Sequence, residues 1–110
     1  MSDYPRLAER KRNEVARLKE SLGKLRLTLE TFSKENHGRF ILFGSMAKGN
    51  YRPDSDVDLI VDFPEDASSQ AIQFAEDACY KLGLKPDIIP FKYCSEKFLS
   101  HIMKHAEVLE

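Results

Sequence analysis

The chain has 110 residues, 42% of them hydrophobic and 32% charged, with a formal net charge of -1. That length suits one domain, and that composition excludes both a disordered chain and a membrane span. The charge is uneven: residues 1–37 carry nine Lys/Arg against six Asp/Glu, and residues 38–110 carry eight against twelve. An acidic carboxyl-terminal part is a poor match for a polynucleotide backbone, so nucleic acid is not expected as the main partner.

Residues 6–36 read as one long helix. Val15, Leu18, Leu22, Leu25, Leu29 and Phe32 recur at alternating steps of three and four, the spacing of one helical face. The stripe either packs on the chain's own sheet or also receives a partner helix. Asn36 and Gly38 supply stop signals, since both tolerate a left-handed backbone. A strand follows from Arg39 to Phe43, then Gly44-Ser45 and a brief helical turn to Gly49. Asn50 to Ser55 is a polar loop containing Pro53. A second strand runs from Asp56 to about Phe63, and Ser68 or Ser69 caps a helix through Leu82, ended by Gly83. A third strand covers Lys85 to Ile89, closed by Pro90. Ser95 caps a last helix to about His105, and Val108-Leu109 adds a short edge strand. Strands alternating with helices predict an α/β or α+β domain with one small mixed sheet, residues 1–37 forming the N-terminal helix and 38–110 the core of a single domain, 1–110.

The longest uninterrupted apolar run, Phe40 to Phe43, is far short of the about 20 residues a bilayer requires. The N-terminus is charged, with no apolar signal core, and Cys79 and Cys94 form no CxxC pair. A reduced, cytoplasmic chain is expected, with Cys79 a small buried hydrophobe.

Candidate chemistry gathers between Phe43 and Phe63. Gly44-Ser45 ends a strand and opens a helical turn. Unpaired N–H groups there attract phosphate, Gly44 lets the backbone approach closely, and the Ser45 hydroxyl adds a donor. Asp56 and Asp58 lie two apart at a strand start, so both carboxylates project to one face, with Cα atoms about 6.6 Å apart. Such a pair suits a hard cation held jointly by substrate phosphates. A bare DxD is more simply an exposed strand start, but Val57, Leu59, Val61 and Phe63 make the opposite face apolar and mark a true sheet member. Asp87 interrupts the apolar strand Lys85–Ile89. A buried lone carboxylate is costly. Either Asp87 joins Asp56 and Asp58 in a cluster able to hold two ions, or it is a turn residue after Pro86.

Gly44-Ser45, ten intervening residues and Asp56-Val57-Asp58 together resemble the signature of the minimal nucleotidyltransferases, within the DNA polymerase beta-like nucleotidyltransferase superfamily. Phe43, Ala47, Gly49, Arg52-Pro53-Asp54-Ser55, Leu59 and Asp62-Phe63 fit the same wording, over roughly residues 39–90. The resemblance implies catalytic and metal-binding roles for Asp56, Asp58 and Asp87, with nucleotide binding by Gly44, Ser45 and Lys48. It implies Mg²⁺, two ions, and ATP as the nucleoside triphosphate donor. Met46 stands where an arginine is common, with Lys48 retaining a cation two residues on. Many such proteins are antitoxins paired in a hetero-oligomer with a HEPN-domain ribonuclease toxin, and some adenylylate a tyrosine of that toxin. Only 23 residues follow Asp87, so a protein acceptor is expected over a small molecule such as an antibiotic. A rival reading is an antitoxin that acts by binding alone.

Other residues invite weaker readings. His101 and His105 lie four apart, but Ile102 occupies the position of the glutamate in the zinc-protease helix, so a solvated face is expected. Asp62 is about 13 Å along the strand from Asp58, too far to share an ion, and reads as structural or supporting. Tyr51 and Arg52 either touch base, phosphate or acceptor or lie in an exposed loop. Arg10-Lys11-Arg12 reads as a solvated helix face.

Overall fold

The computed structural model describes residues 3–110 apart from Pro53, with side chains from residue 8 onward. Pro53, read above as part of the polar loop, lies outside the described residues. The elements are α1 (Asp3–Asn36), β1 (Arg39–Phe43), β2 (Val57–Asp62), α2 (Glu65–Lys81), β3 (Pro86–Pro90), a 3-10 turn (Phe91–Tyr93), α3 (Glu96–Ile102) and β4 (Glu107–Leu109). The sheet order is β3-β2-β1-β4. β1 pairs antiparallel with β2 and with β4, while β2 and β3 run parallel across the α2 crossover. This is the expected mixed α/β sheet. Both outer strands are short, and β3 begins and ends in proline, which blunts that edge.

One sheet face makes the core. Phe40 and Leu42 of β1, Val57, Leu59 and Val61 of β2, and Leu109 of β4 pack against α1 and α2. The α1 stripe behaves as its spacing predicts: Leu18, Leu22, Leu25 and Leu29 are buried on the chain's own sheet and Phe32 packs beside them. Phe32 stacks on Phe74 at 4.2 Å between centroids and meets Phe63 edge-on. Val15 is only half-buried, and residues 8–14 are exposed. A helix of 34 residues is about 51 Å long, longer than a sheet of five-residue strands covers. Arg10, Lys11 and Arg12 are accordingly solvated.

Two polar contacts fasten β4 to α1. The Arg26 guanidinium donates to Glu107 through Nε at 2.9 Å and Nη2 at 2.8 Å. That hydrogen-bonded pair raises the Arg26 pKa further. The buried Ser33 hydroxyl lies 2.8 Å from the Leu29 carbonyl and 2.9 Å from that of Leu109, placing its proton between them.

Several local expectations are corrected. The left-handed residue after α1 is His37, at φ 58, not Asn36 or Gly38. Gly38 is needed for space instead, since a Cβ there would stand 2.2 Å from the Phe63 ring. α2 starts at Glu65 with no side-chain cap, so neither Ser68 nor Ser69 caps it. Pro64 sets the entry, and Glu65 and Asp66 place negative charge in the first turn. Pro90 belongs to β3. Ser95 does cap α3, accepting from the Phe98 N–H at 3.0 Å, but that helix stops at Ile102 and leaves His105 beyond it. Cys79 is buried and both cysteines are free. No helix among the described residues is long and apolar enough to cross a membrane.

Candidate active site

The second sheet face is where charge is placed. Cross-strand partners share a face, so the pairing of Phe43 with Asp58, Ile41 with Ile60 and Arg39 with Asp62 puts these six side chains together. Ile41 and Ile60 are fully buried there, beside α3, whose Phe98 meets Phe43 edge-on at 5.6 Å. Asp62 is taken up at the far end by Arg39, 2.8 Å from Nε to Oδ2. Its role is structural, one of the two roles expected of it.

Asp58 sits at the near end, and three features converge on it. β3 runs parallel to β2 in a register that sets Asp87 beside Asp58, about 4.8 Å away between backbones. Asp56 precedes β2, exposed, and its charge reaches the same carboxyl. Partial burial first, then Asp87 and then Asp56 push the Asp58 carboxyl up from its ordinary value to about 6. The sequence had assigned the costly burial to Asp87, but Asp87 is exposed. Asp58 is the partly buried carboxylate of the three. Among the described residues, no three acidic, cysteine or imidazole side chains are drawn around one point, and mutual repulsion works against closer gathering. The donor set is nevertheless of the right kind: three carboxylates, two of them in register, suit a hard divalent cation.

Gly44 forms the opposing wall. Its φ is +77, and a Cβ there would lie 2.3 Å from Asp58 Oδ2. Both the backbone conformation and the space beside Asp58 therefore demand glycine. The following turn closes through Lys48 N–H to Gly44 O at 3.2 Å and Asn50 N–H to Ser45 O at 2.9 Å. Among the described residues the N–H groups of Ser45, Met46 and Ala47 donate to no acceptor within this turn, the pattern of a helical start that attracts anions. Ser45 is half-buried at the turn's opening and Lys48 is exposed.

Other candidates are placed elsewhere. Met46 is fully buried in the core. The side chain that stands in place of the arginine therefore packs in the core, and Lys48 is the exposed cation of this turn. Tyr51 turns toward α1, with Lys19 Nζ 5.5 Å from its ring centroid, and does not face the carboxylates. Arg52 is exposed. Two larger cavities, about 690 and 650 Å³, open at the opposite end of the sheet around Asp62 and Phe63 and hold none of Asp56, Asp58 and Asp87.

The sequence profile of the nucleotidyltransferase domain matches residues 22–109. The chain belongs to this nucleotidyltransferase family. A solved structure assigned as a minimal nucleotidyltransferase is similar over 80% of this chain and 92% of its own, with 26% identity and a TM-score of 0.66. A toxin-antitoxin solved with AMP-PNP covers 83% of this nucleotidyltransferase and 71% of its own chain, at 18% identity and a TM-score of 0.53. That second likeness is one of fold. No curated protein matches the chain. The resemblance to minimal nucleotidyltransferases read from Gly44-Ser45 and Asp56-Val57-Asp58 agrees with the family and with the first of these structures.

Proposed function

We propose that this nucleotidyltransferase transfers AMP from ATP to a tyrosine of a partner protein, a HEPN-domain ribonuclease toxin in a reduced cytoplasm, and so neutralises it. The observation that carries the chemistry is the Asp58–Asp87 register facing Gly44, with Asp56 alongside. Support for the setting comes from the family resemblance and from the fold shared with a toxin-antitoxin solved with AMP-PNP.

Asp56, Asp58 and Asp87 would hold Mg²⁺, two ions on this reading. Bound there, magnesium supplies charge neutralisation on the phosphates and Lewis-acid polarisation of the reacting oxygens. The chain's own groups do the rest. The turn N–H groups and the Ser45 hydroxyl orient the triphosphate, and Lys48 balances its charge. Asp87, exposed at the β3 side, receives the acceptor hydroxyl and helps remove its proton. The acceptor oxygen then bonds to the α-phosphorus as the bond to the pyrophosphate oxygen breaks. Catalysis is mainly positioning and charge stabilisation, as for phosphoryl transfer generally.

The test incubates the full chain with ATP, Mg²⁺ and the protein encoded by the neighbouring gene, reading the intact mass of that partner. A gain of one adenylyl group is expected with the parent and none with Asp56→Asn/Asp58→Asn. A folded double variant that still protects cells from the partner would sink the catalytic account in favour of neutralisation by binding.

A further inference from the structure

Beyond Gly44, on the side away from Asp87, the surface dips into a cavity of about 270 Å³ walled by Gly44, Lys48, His101, Lys104 and His105, with Phe43 and Ile102 at its floor. Every titratable group on this wall is basic. Among the described residues none of the four basic side chains is held in an ion pair. The sequence separates Lys48 from the other three by more than fifty residues, and His101 and His105 are exposed, as the solvated-face reading expected. The fold joins them because α3 lies on the Asp58 face, pinned by Phe98 against Phe43, and its end overhangs the Gly44 turn.

We infer that this cavity is a polyphosphate site, holding the outer phosphates of the donor and the pyrophosphate that leaves, with His101, Lys104 and His105 supplementing Lys48. The inference rests on the proposed nucleotidyl transfer and adds groups to it. Three observations fix the occupant. The first is size: pockets for whole small ligands run about 300–1,000 Å³, so 270 Å³ suits part of a nucleotide. The second is charge. A cationic wall directly beside an acidic cluster accepts the anionic portion of a ligand whose metal-bound portion sits on the carboxylates. The third is direction. The sheet order β3-β2-β1 sets Asp87, Asp58 and Gly44 in a row. Attacking and leaving oxygens lie roughly in line at phosphorus. An acceptor entering over Asp87 therefore sends the leaving pyrophosphate toward Gly44 and the basic wall. As the acceptor oxygen bonds to the α-phosphorus, the bridging oxygen departs with the electron pair, and its added negative charge forms next to Lys48 and the end of α3.

The test uses the full chain carrying His101→Gln with Lys104→Gln, two exposed positions whose replacement should leave thermal unfolding unchanged. Calorimetry with Mg²⁺ measures ATP, pyrophosphate and AMP in parent and variant. Affinity for ATP and for pyrophosphate should each fall roughly tenfold or more, with AMP unchanged, and the gap should narrow as salt is raised. Lys104→Arg should keep parental affinity. Equal ATP and pyrophosphate affinities in parent and variant would overturn the site while leaving transfer by the parent intact. An equal loss for AMP would mean the wall reads the nucleoside, and loss of partner capture alone would mean it is an acceptor surface; either overturns the proposal. A parent that binds neither ATP nor pyrophosphate would bring down both the site and the transferase reading.

Discussion

Replacing Asp58 by asparagine removes a carboxyl that partial burial and two neighbouring carboxylates disfavour in its charged form. In the folded chain its pKa stands at about 6 against an ordinary 3.8. The folded state therefore binds a proton more tightly than the unfolded state. The resulting stabilisation is fully present below about pH 3.8 and is lost as pH rises through 6. At 1.36 kcal/mol per pH unit the gap between those two values corresponds to about 3 kcal/mol. The side chain is only partly buried, and solvent screening reduces this to about 1 kcal/mol. The asparagine side chain keeps the shape and cannot ionise. In EDTA at pH 7.5, urea unfolding followed by circular dichroism should find Asp58→Asn more stable by about 1 kcal/mol, with a melting temperature about 4 °C higher. The advantage should fade as pH falls toward 4. With saturating Mg²⁺ and ATP the order should reverse, because ligand binding to the folded parent adds stability that the variant cannot gain. A difference that stays constant with pH, or grows toward acid, would refute the account of Asp58.

Gly44 and Gly49 offer a matched comparison, since both have positive φ but only at Gly44 would a Cβ meet a neighbour, Asp58. Gly49→Ala should cost about 1 kcal/mol from backbone strain, while Gly44→Ala should cost more and also weaken Mg·ATP binding; equal losses in urea unfolding with equal ATP affinity would count against a crowded site. Chelating Mg²⁺ should weaken ATP binding at least tenfold, because bare phosphates would then face three carboxylates; calorimetry giving the same affinity with EDTA and with Mg²⁺ would argue against a metal site.

The sequence displayed its periodic features well. The α1 stripe and the alternation of Val57, Leu59 and Val61 were readable because burial on one face imposes a fixed period on apolar residues. The Asp58–Asp87 pairing was accessible only as a condition, since strand order is not written in either strand. What escaped has physical reasons. Met46 looked like a departure in a phosphate loop, yet the turn aims it into the core. Gly38 looked like a left-handed stop, but its constraint is the Phe63 ring, 25 residues away in sequence. α2 starts one turn early because Pro64 and two acidic residues substitute for a hydroxyl cap. His101 near the end of α3 and Lys104 and His105 in the turn after it form an ordinary polar surface until α3 is laid against β1, and no local signal says which way that end points.

The two sheet faces divide the molecule's energetics. On one, β1, β2 and β4 bury apolar side chains under α1 and α2, each helix contributing four buried apolar residues. On the other, Ile41 and Ile60 are buried beside a seven-residue α3, with like charges clustered at one end of the same face. The first face can support the second because Val57 and Leu59, which flank Asp58, are themselves fully buried in the core. Their burial contributes about 1.5–3 kcal/mol apiece, which exceeds the about 1 kcal/mol that Asp58 ionisation costs after screening. The strand thus holds its carboxylate in place with no ion pair to it among the described residues. On the proposed reading, the repulsion stored at Asp58 is released only when a cation arrives with its phosphates, and the basic wall beyond Gly44 then receives the opposite end of the same ligand. On that reading the apolar face holds Asp58 on one side of Gly44 and the basic wall on the other.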